Sequence, residues 1–110
     1  MRKLKLKIND KEYLLELNRS SIKWLEGNGF SLKDFDDKPV TYYDLLWQSL
    51  FIANHKDVNA GLAIKLMETY EKEHNVVSVI KFAIDEYAAF MSALADTNSE
   101  KNEELEIIEA

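Results

Sequence analysis

The sequence has no cysteine, a single proline and three glycines, and only two histidines, His55 and His74. Without cysteine there can be no disulfide framework, no thiolate-bound zinc and no thiol nucleophile. With so few glycines and prolines, few positions force the backbone out of regular structure. No apolar run reaches membrane-spanning length, and none follows the charged start MRKLKLK as the core of a signal peptide would. The chain is therefore expected to remain in the compartment where it is made, away from any membrane.

Catalytic patterns are missing as well. There is no HExxH, no GxSxG and no phosphate-binding P-loop. GNGF at residues 27–30 has too few glycines for a dinucleotide loop and ends a helical stretch instead of opening one. His55 and His74 each stand at the end of a helical stretch, where an imidazole interacts well with the helix dipole without further duties. Asp34, Asp36 and Asp37 lack the central glycine and closing glutamate of a calcium loop, so turn chemistry explains them better. These readings predict no catalytic residue, no metal site, no cofactor and no enzymatic activity.

What is present fits one small domain: 110 residues, 46% hydrophobic and 31% charged, enough chain to bury a core without a metal or a crosslink. The net charge of −6 is unevenly spread. Residues 96–110, DTNSEKNEELEIIEA, carry six acids against one lysine, while residues 1–95 are nearly balanced with thirteen basic and fourteen acidic side chains. Such a balance offers no basic face for nucleic acid, so Trp24 and Trp47 are read as core anchors in preference to base-stacking platforms. Lys3, Lys5 and Lys7 form a local basic row. Solvated lysines on an edge strand, which discourage aggregation, account for it more simply than phosphate binding does.

Two alternating runs at the start predict a β-hairpin. Leu4, Leu6 and Ile8 share one face of the first strand and Tyr13, Leu15 and Leu17 one face of the second, with Asn9-Asp10 between them, both tolerant of positive φ. A lone hairpin is marginal in water and must lean on other elements. After it come a short helix capped by Ser20 or Ser21 and stopped by Gly27 or Gly29, and a turn of helix over SLKDF ended by Pro39. Three longer helices follow, capped by Thr41, Asn59 and Asn75, the last running from Val76 to about Ala95. The predicted fold class is α+β: an N-terminal β-hairpin packed on a small bundle of three longer helices plus short helical turns, over residues 1–95. Residues 96–110 are predicted to be an acidic, flexible, disordered C-terminal tail.

Helical spacing assigns the buried faces. Val76, Ile80, Ala83, Ile84, Tyr87, Phe90, Met91 and Leu94 form one stripe of the last helix; Leu62, Ala63, Leu66, Met67 and Tyr70 face inward from the helix before it. Tyr43, Leu46, Trp47 and Leu50 make one face of the Thr41 helix while Leu45 and Ile52 lie nearly opposite, the pattern of a helix that is central or faces a partner. Leu45, Ile52, Ile64 and Phe82 remain outside these stripes. They are either core contacts or a shared patch that binds another protein, and Leu105, Ile107 and Ile108 add an apolar motif at the end of the acidic tail.

LKINDKEYLLEL, WLEGNGFSLKDFDDKP and LLWQSLFIANHKDV together resemble the tail assembly chaperones of long-tailed bacteriophages that infect Gram-positive bacteria. Those proteins similarly open with a hairpin of the type NGKEY, continue through a LEELGFSL turn, and place DKP before an apolar helix containing Ala-His or Asn-His. The resemblance spans roughly residues 4–92 and departs at Asp10, where the family often has glycine. It implies a non-enzymatic protein of the host cell cytoplasm that binds the tape-measure protein, keeps it soluble and helps recruit tail-tube subunits. Self-association into a homo-oligomer is a further expectation. Two other readings stay open: a structural virion component such as a tail-completion or connector protein, and a small acidic regulatory binding protein.

Overall fold

A computed structural model describes residues 2–100. Two strands, β1 (Lys3–Ile8) and β2 (Lys11–Glu16), are followed by helix α1 (Arg19–Gly27), a 3₁₀ segment (Leu32–Asp37), α2 (Pro39–Ser49), α3 (Ala60–Glu71) and α4 (Val77–Glu100). The fold is α+β. Leu105, Ile107 and Ile108, with the rest of 101–110, lie outside the described residues.

The strands pair antiparallel, with Ile8 opposite Lys11 and Lys3 opposite Glu16. The turn works because Asn9 and Asp10 both take positive φ, 51° and 63°, the pair of values that matches a two-residue turn to the twist of its strands. Strand alternation then sends Ile8, Tyr13 and Leu15 into the core, with Leu17 just beyond, while Leu4 and Leu6 are half-buried and Lys3, Lys5 and Lys7 exposed. The hairpin's apolar face is the floor on which the helices rest.

Asn18 caps α1: its side chain accepts from the Ser21 N–H at 3.0 Å, and the Ser21 hydroxyl accepts in return from the Asn18 N–H at 3.2 Å. The cap thus falls earlier than the serines predicted from sequence, because an Asn–Ser pair three apart satisfies two orphan amides at once. Gly29, at φ 82°, stops the helix: its N–H reaches the Glu26 carbonyl and that of Phe30 reaches Leu25. This doubled closure needs a left-handed residue, and Phe30 beyond it turns into the core.

Pro39 opens α2 instead of ending the preceding piece, and Lys38, not Thr41, is the cap residue. Proline at the first helical position loses nothing, since that amide would have no intrahelical partner anyway. The helix also stops at Ser49, short of Ile52, which the spacing places on it. Three-residue hydrogen bonds tighten the chain there, Phe51 N–H to Gln48 and Ile52 N–H to Ser49, so that Phe51 swings inward and the Leu50 carbonyl accepts from the Glu16 N–H at 3.3 Å.

Helix α2 is the centre of the molecule, packing on α1, α3 and α4. Leu46, Trp47 and Leu50 are fully buried, and the Trp47 indole N–H donates to the Ala63 carbonyl at 2.8 Å, locking α2 to α3. Phe30 lies 5.1 Å from both Tyr42 and Tyr87, centroid to centroid, joining the chain after α1 to α2 and α4. Asn59 caps α3 by accepting from the Leu62 N–H at 2.8 Å, and the Asn75 side chain accepts from Val77 N–H at 2.9 Å at the start of α4, as the sequence predicts. Leu62, predicted inward, is exposed in the first turn of α3. Helix α4 continues to Glu100, past the predicted Ala95, with no glycine or proline in its way. Among the described residues no helix is long and apolar enough to cross a membrane.

Candidate functional site

The last helix offers more apolar length than the fold can cover. Twenty-four residues make α4 about 36 Å long, whereas the eleven residues of α2, the helix it packs on, span about 16 Å. The stripe predicted from spacing accordingly divides in two. Ile80, Ala83 and Tyr87 are buried, joined by Val79, and Phe90 is half-buried; from Met91 to Ala95 every side chain is exposed. Met91 and Leu94 each expose 40% of their surface. Since Met91 lies four residues after Tyr87 and Leu94 four after Phe90, they carry the core-facing stripe out into solvent.

At the base of this overhang Arg2, Glu86, Ala89, Phe90 and Ala93 line an open concavity of about 390 Å³. Glu86 sits on the packed side of α4, only 5% exposed. It is held twice by Arg2: the backbone N–H donates to one carboxylate oxygen at 2.7 Å and Nε–H to the other at 2.9 Å. Burial pushes the Glu86 carboxyl up, but the hydrogen bonds and charge of Arg2 outweigh that effect and leave it below its ordinary 4.5. Glu86 is thus an ionised anchor, not a proton donor. The Arg2 guanidinium also stands 5.4 Å from the centre of the Phe82 ring, and that of Arg19 stands 5.9 Å from Phe90. Two arginines therefore border the apolar strip, able to meet acids on whatever lies against it.

All four off-stripe residues are half-buried. Leu45 and Ile64 are half-buried and pack against the core. Ile52 lines a shallow dent of about 180 Å³ with Trp24, Val58 and Ala63, whose lining includes none of the other three. Phe82 is half-buried under Arg2. Among the described residues the large apolar side chains left exposed are Leu32, Val40, Leu62 and Val77, along with Met91 and Leu94. Sequence reading placed Met91 and Leu94 in the core and overlooked Arg2 and Glu86. The missed signal is one of length, because a stripe of eight positions needs a facing surface as long as itself. Glu86, three residues after Ala83 and four before Phe90, stands beside that stripe and called for a cation.

Neither histidine joins a reactive cluster. The Nε2 of His55 accepts from the Leu14 N–H at 3.0 Å, while its ring meets Tyr13 edge-on at 5.1 Å. His74 stacks on Tyr70 at 4.8 Å. Among the described residues no three His, Asp or Glu side chains are placed to hold a metal ion.

A family model matches residues 1–108, almost the whole chain. The chain belongs to DUF5055, a domain of unknown function. No curated protein and no solved structure matches it.

Proposed function

We propose that this protein is a chaperone of bacteriophage tail assembly, working in the host cytoplasm to hold the long, helical, partly apolar tape-measure protein in solution until tail-tube subunits assemble around it. The observation that carries this reading is the apolar stripe of α4 that outruns its partner helix. An amphipathic helix laid along Phe90, Met91 and Leu94 would find anchors at one-turn spacing, the mode in which helices dock into grooves. Arg2 and Arg19 would select acidic residues at its margin, and the chain's net charge of −6 would keep the complex dispersed. Contacts made by two or three exposed side chains are readily reversed, as release on tail completion requires. The resemblance of residues 4–92 to such chaperones supplies the identity of the partner.

Co-expression with fragments of a tape-measure protein tests the proposal. The wild-type chain should co-purify with at least one fragment, and the double variant Met91→Asp with Leu94→Asp should lose it while melting at the same temperature, since both positions are already in water. Failure of the wild type to retain any fragment removes the chaperone assignment; retention by the folded double variant moves the site elsewhere. Mass spectrometry of finished tails separates a chaperone, which is absent from them, from a structural component of the virion.

A further inference from the structure

The hairpin has two edges, and they differ. On β2 the outward groups are taken up by the chain that follows α2: Leu14 N–H donates to His55 Nε2 at 3.0 Å, the Leu14 carbonyl accepts from the Asn54 amide at 3.2 Å, and Glu16 N–H reaches the Leu50 carbonyl at 3.3 Å. Leu14 and Glu16 therefore direct their backbone groups away from β1. In an antiparallel ladder the residue opposite such a position also faces outward, so Lys5 and Lys3, their register partners, and Lys7 beyond them present free N–H and C=O groups on the other side. Among the described residues these backbone groups have no hydrogen-bond partner. Near the turn, Lys7 and Ile8 look across a dent toward Thr69–His74, which leaves Lys3 and Lys5 as the open part of the edge.

The pattern of β1 specifies what would pair there. Lys3, Lys5 and Lys7 stand on the exposed face, and Leu4, Leu6 and Ile8 on the apolar one, with Leu4 and Leu6 still half in water. A third strand that suited both faces would alternate acid with aliphatic. Residues 104–107 of this chain read Glu-Leu-Glu-Ile, followed by Ile108. Placed on the edge, Glu104 and Glu106 come beside the lysines, while Leu105 and Ile107 extend the apolar face past Leu4 and Leu6.

With α4 helical to Glu100, a chain's own Glu104 falls short of its own Lys3. Glu86 grips Arg2 at the start of β1, and fourteen helical residues carry Glu100 about 21 Å further along α4. Four extended residues from Glu100 to Glu104 return at most about 14 Å. The rest of β1 recedes further, since its far end lies beside the residues that lead into the start of α4.

We propose that residues 104–108 of a second copy add to the free edge of β1 as a third strand, so that two chains exchange tails in a closed dimer. The inference does not depend on the chaperone reading, as it concerns only how the chain binds itself.

Because the protein has no cysteine, introduced pairs report contact cleanly. Full-length chains carrying Lys5→Cys, mixed with differently tagged full-length chains carrying Glu106→Cys, should oxidise to a mixed disulfide dimer. The double variant in one chain should give intermolecular and not intramolecular bonds. In sedimentation, Glu104→Lys with Glu106→Lys should weaken the wild-type dimer about tenfold or more, and Lys3→Glu with Lys5→Glu on the same chain should restore it. A wild-type chain that stays monomeric at all concentrations, a disulfide confined within one chain, or a dimer indifferent to both charge reversals overturns the proposal.

Discussion

Trp47 shows how much one side chain holds here. It is fully buried, it fills the space between α2 and α3, and its N–H closes a 2.8 Å bond to Ala63. Trp47→Phe keeps an aromatic ring but removes the donor and some volume, which should lower stability by about 2 kcal/mol in denaturant unfolding; Trp47→Ala should cost about 4 kcal/mol. Glu86 gives a second case, readable by pH. Its folded carboxyl titrates below the ordinary 4.5, so the unfolded chain takes up the proton first. The stability it contributes is complete above that value and is lost as pH falls through the lower folded one. Glu86→Gln should therefore flatten the acid limb of a melting-temperature profile below about pH 4.5, and should lower stability at neutral pH. Asp44 has the opposite sign. Burial raises its carboxyl above 3.8, and whatever stability the protonated form contributes is gone by neutral pH. Asp44→Asn should thus be neutral or slightly stabilising at pH 7 in the same measurement. Burial, with the charge of Glu26, also raises the Tyr87 phenol above 10, so stability should fall further as pH climbs past that value.

Among the elements, those with a strict period or a dedicated cap were legible in the sequence. The hairpin followed from alternation and from Asn9-Asp10, and α3 began at Asn59 because an asparagine three residues before a free amide has one obvious use. Boundaries governed by distant contacts were not legible. The end of α2 is set by the need to bring Phe51 inward and the Leu50 carbonyl to β2, which no local preference encodes. Nor does spacing reveal how far a stripe is covered, and this is why Met91 and Leu94 read as core. The same limit hid the edge of β2, whose groups are closed by Asn54 and His55 some forty residues away. The turn itself allows a prediction. Asp10 at φ 63° bears the strain of a left-handed conformation that glycine takes freely, so Asp10→Gly should stabilise the fold by about 0.5 kcal/mol in spite of the extra freedom it gives the unfolded chain, whereas Asp10→Val should destabilise it by about 1 kcal/mol or more. Chemical denaturation of the two variants checks both signs.

For the molecule as a whole, the central fact is that a core built around an 11-residue helix carries a 24-residue one. The covered half of α4 is held by buried Val79, Ile80, Ala83 and Tyr87 and by the Arg2–Glu86 pair; Phe90 beyond them is half-buried beneath Arg19, and the side chains of residues 91–95 are exposed. A helix end whose side chains stand in solvent opens at little free-energy cost, because helical stability in proteins comes mostly from the packed face. Amide hydrogen exchange should consequently divide α4 near Phe90. Residues 79–87 should exchange with the slow rates of the global core, and residues 91–95 orders of magnitude faster. Binding of an apolar helix along Met91 and Leu94 would supply the missing face, so adding a retained tape-measure fragment should slow residues 91–95 toward the core rates while leaving 79–87 unchanged. Protection appearing instead around Ile52, Trp24 and Val58 would put the partner in the dent between α1 and α3, and uniform slow exchange along α4 in the free protein would mean that the overhang is already covered.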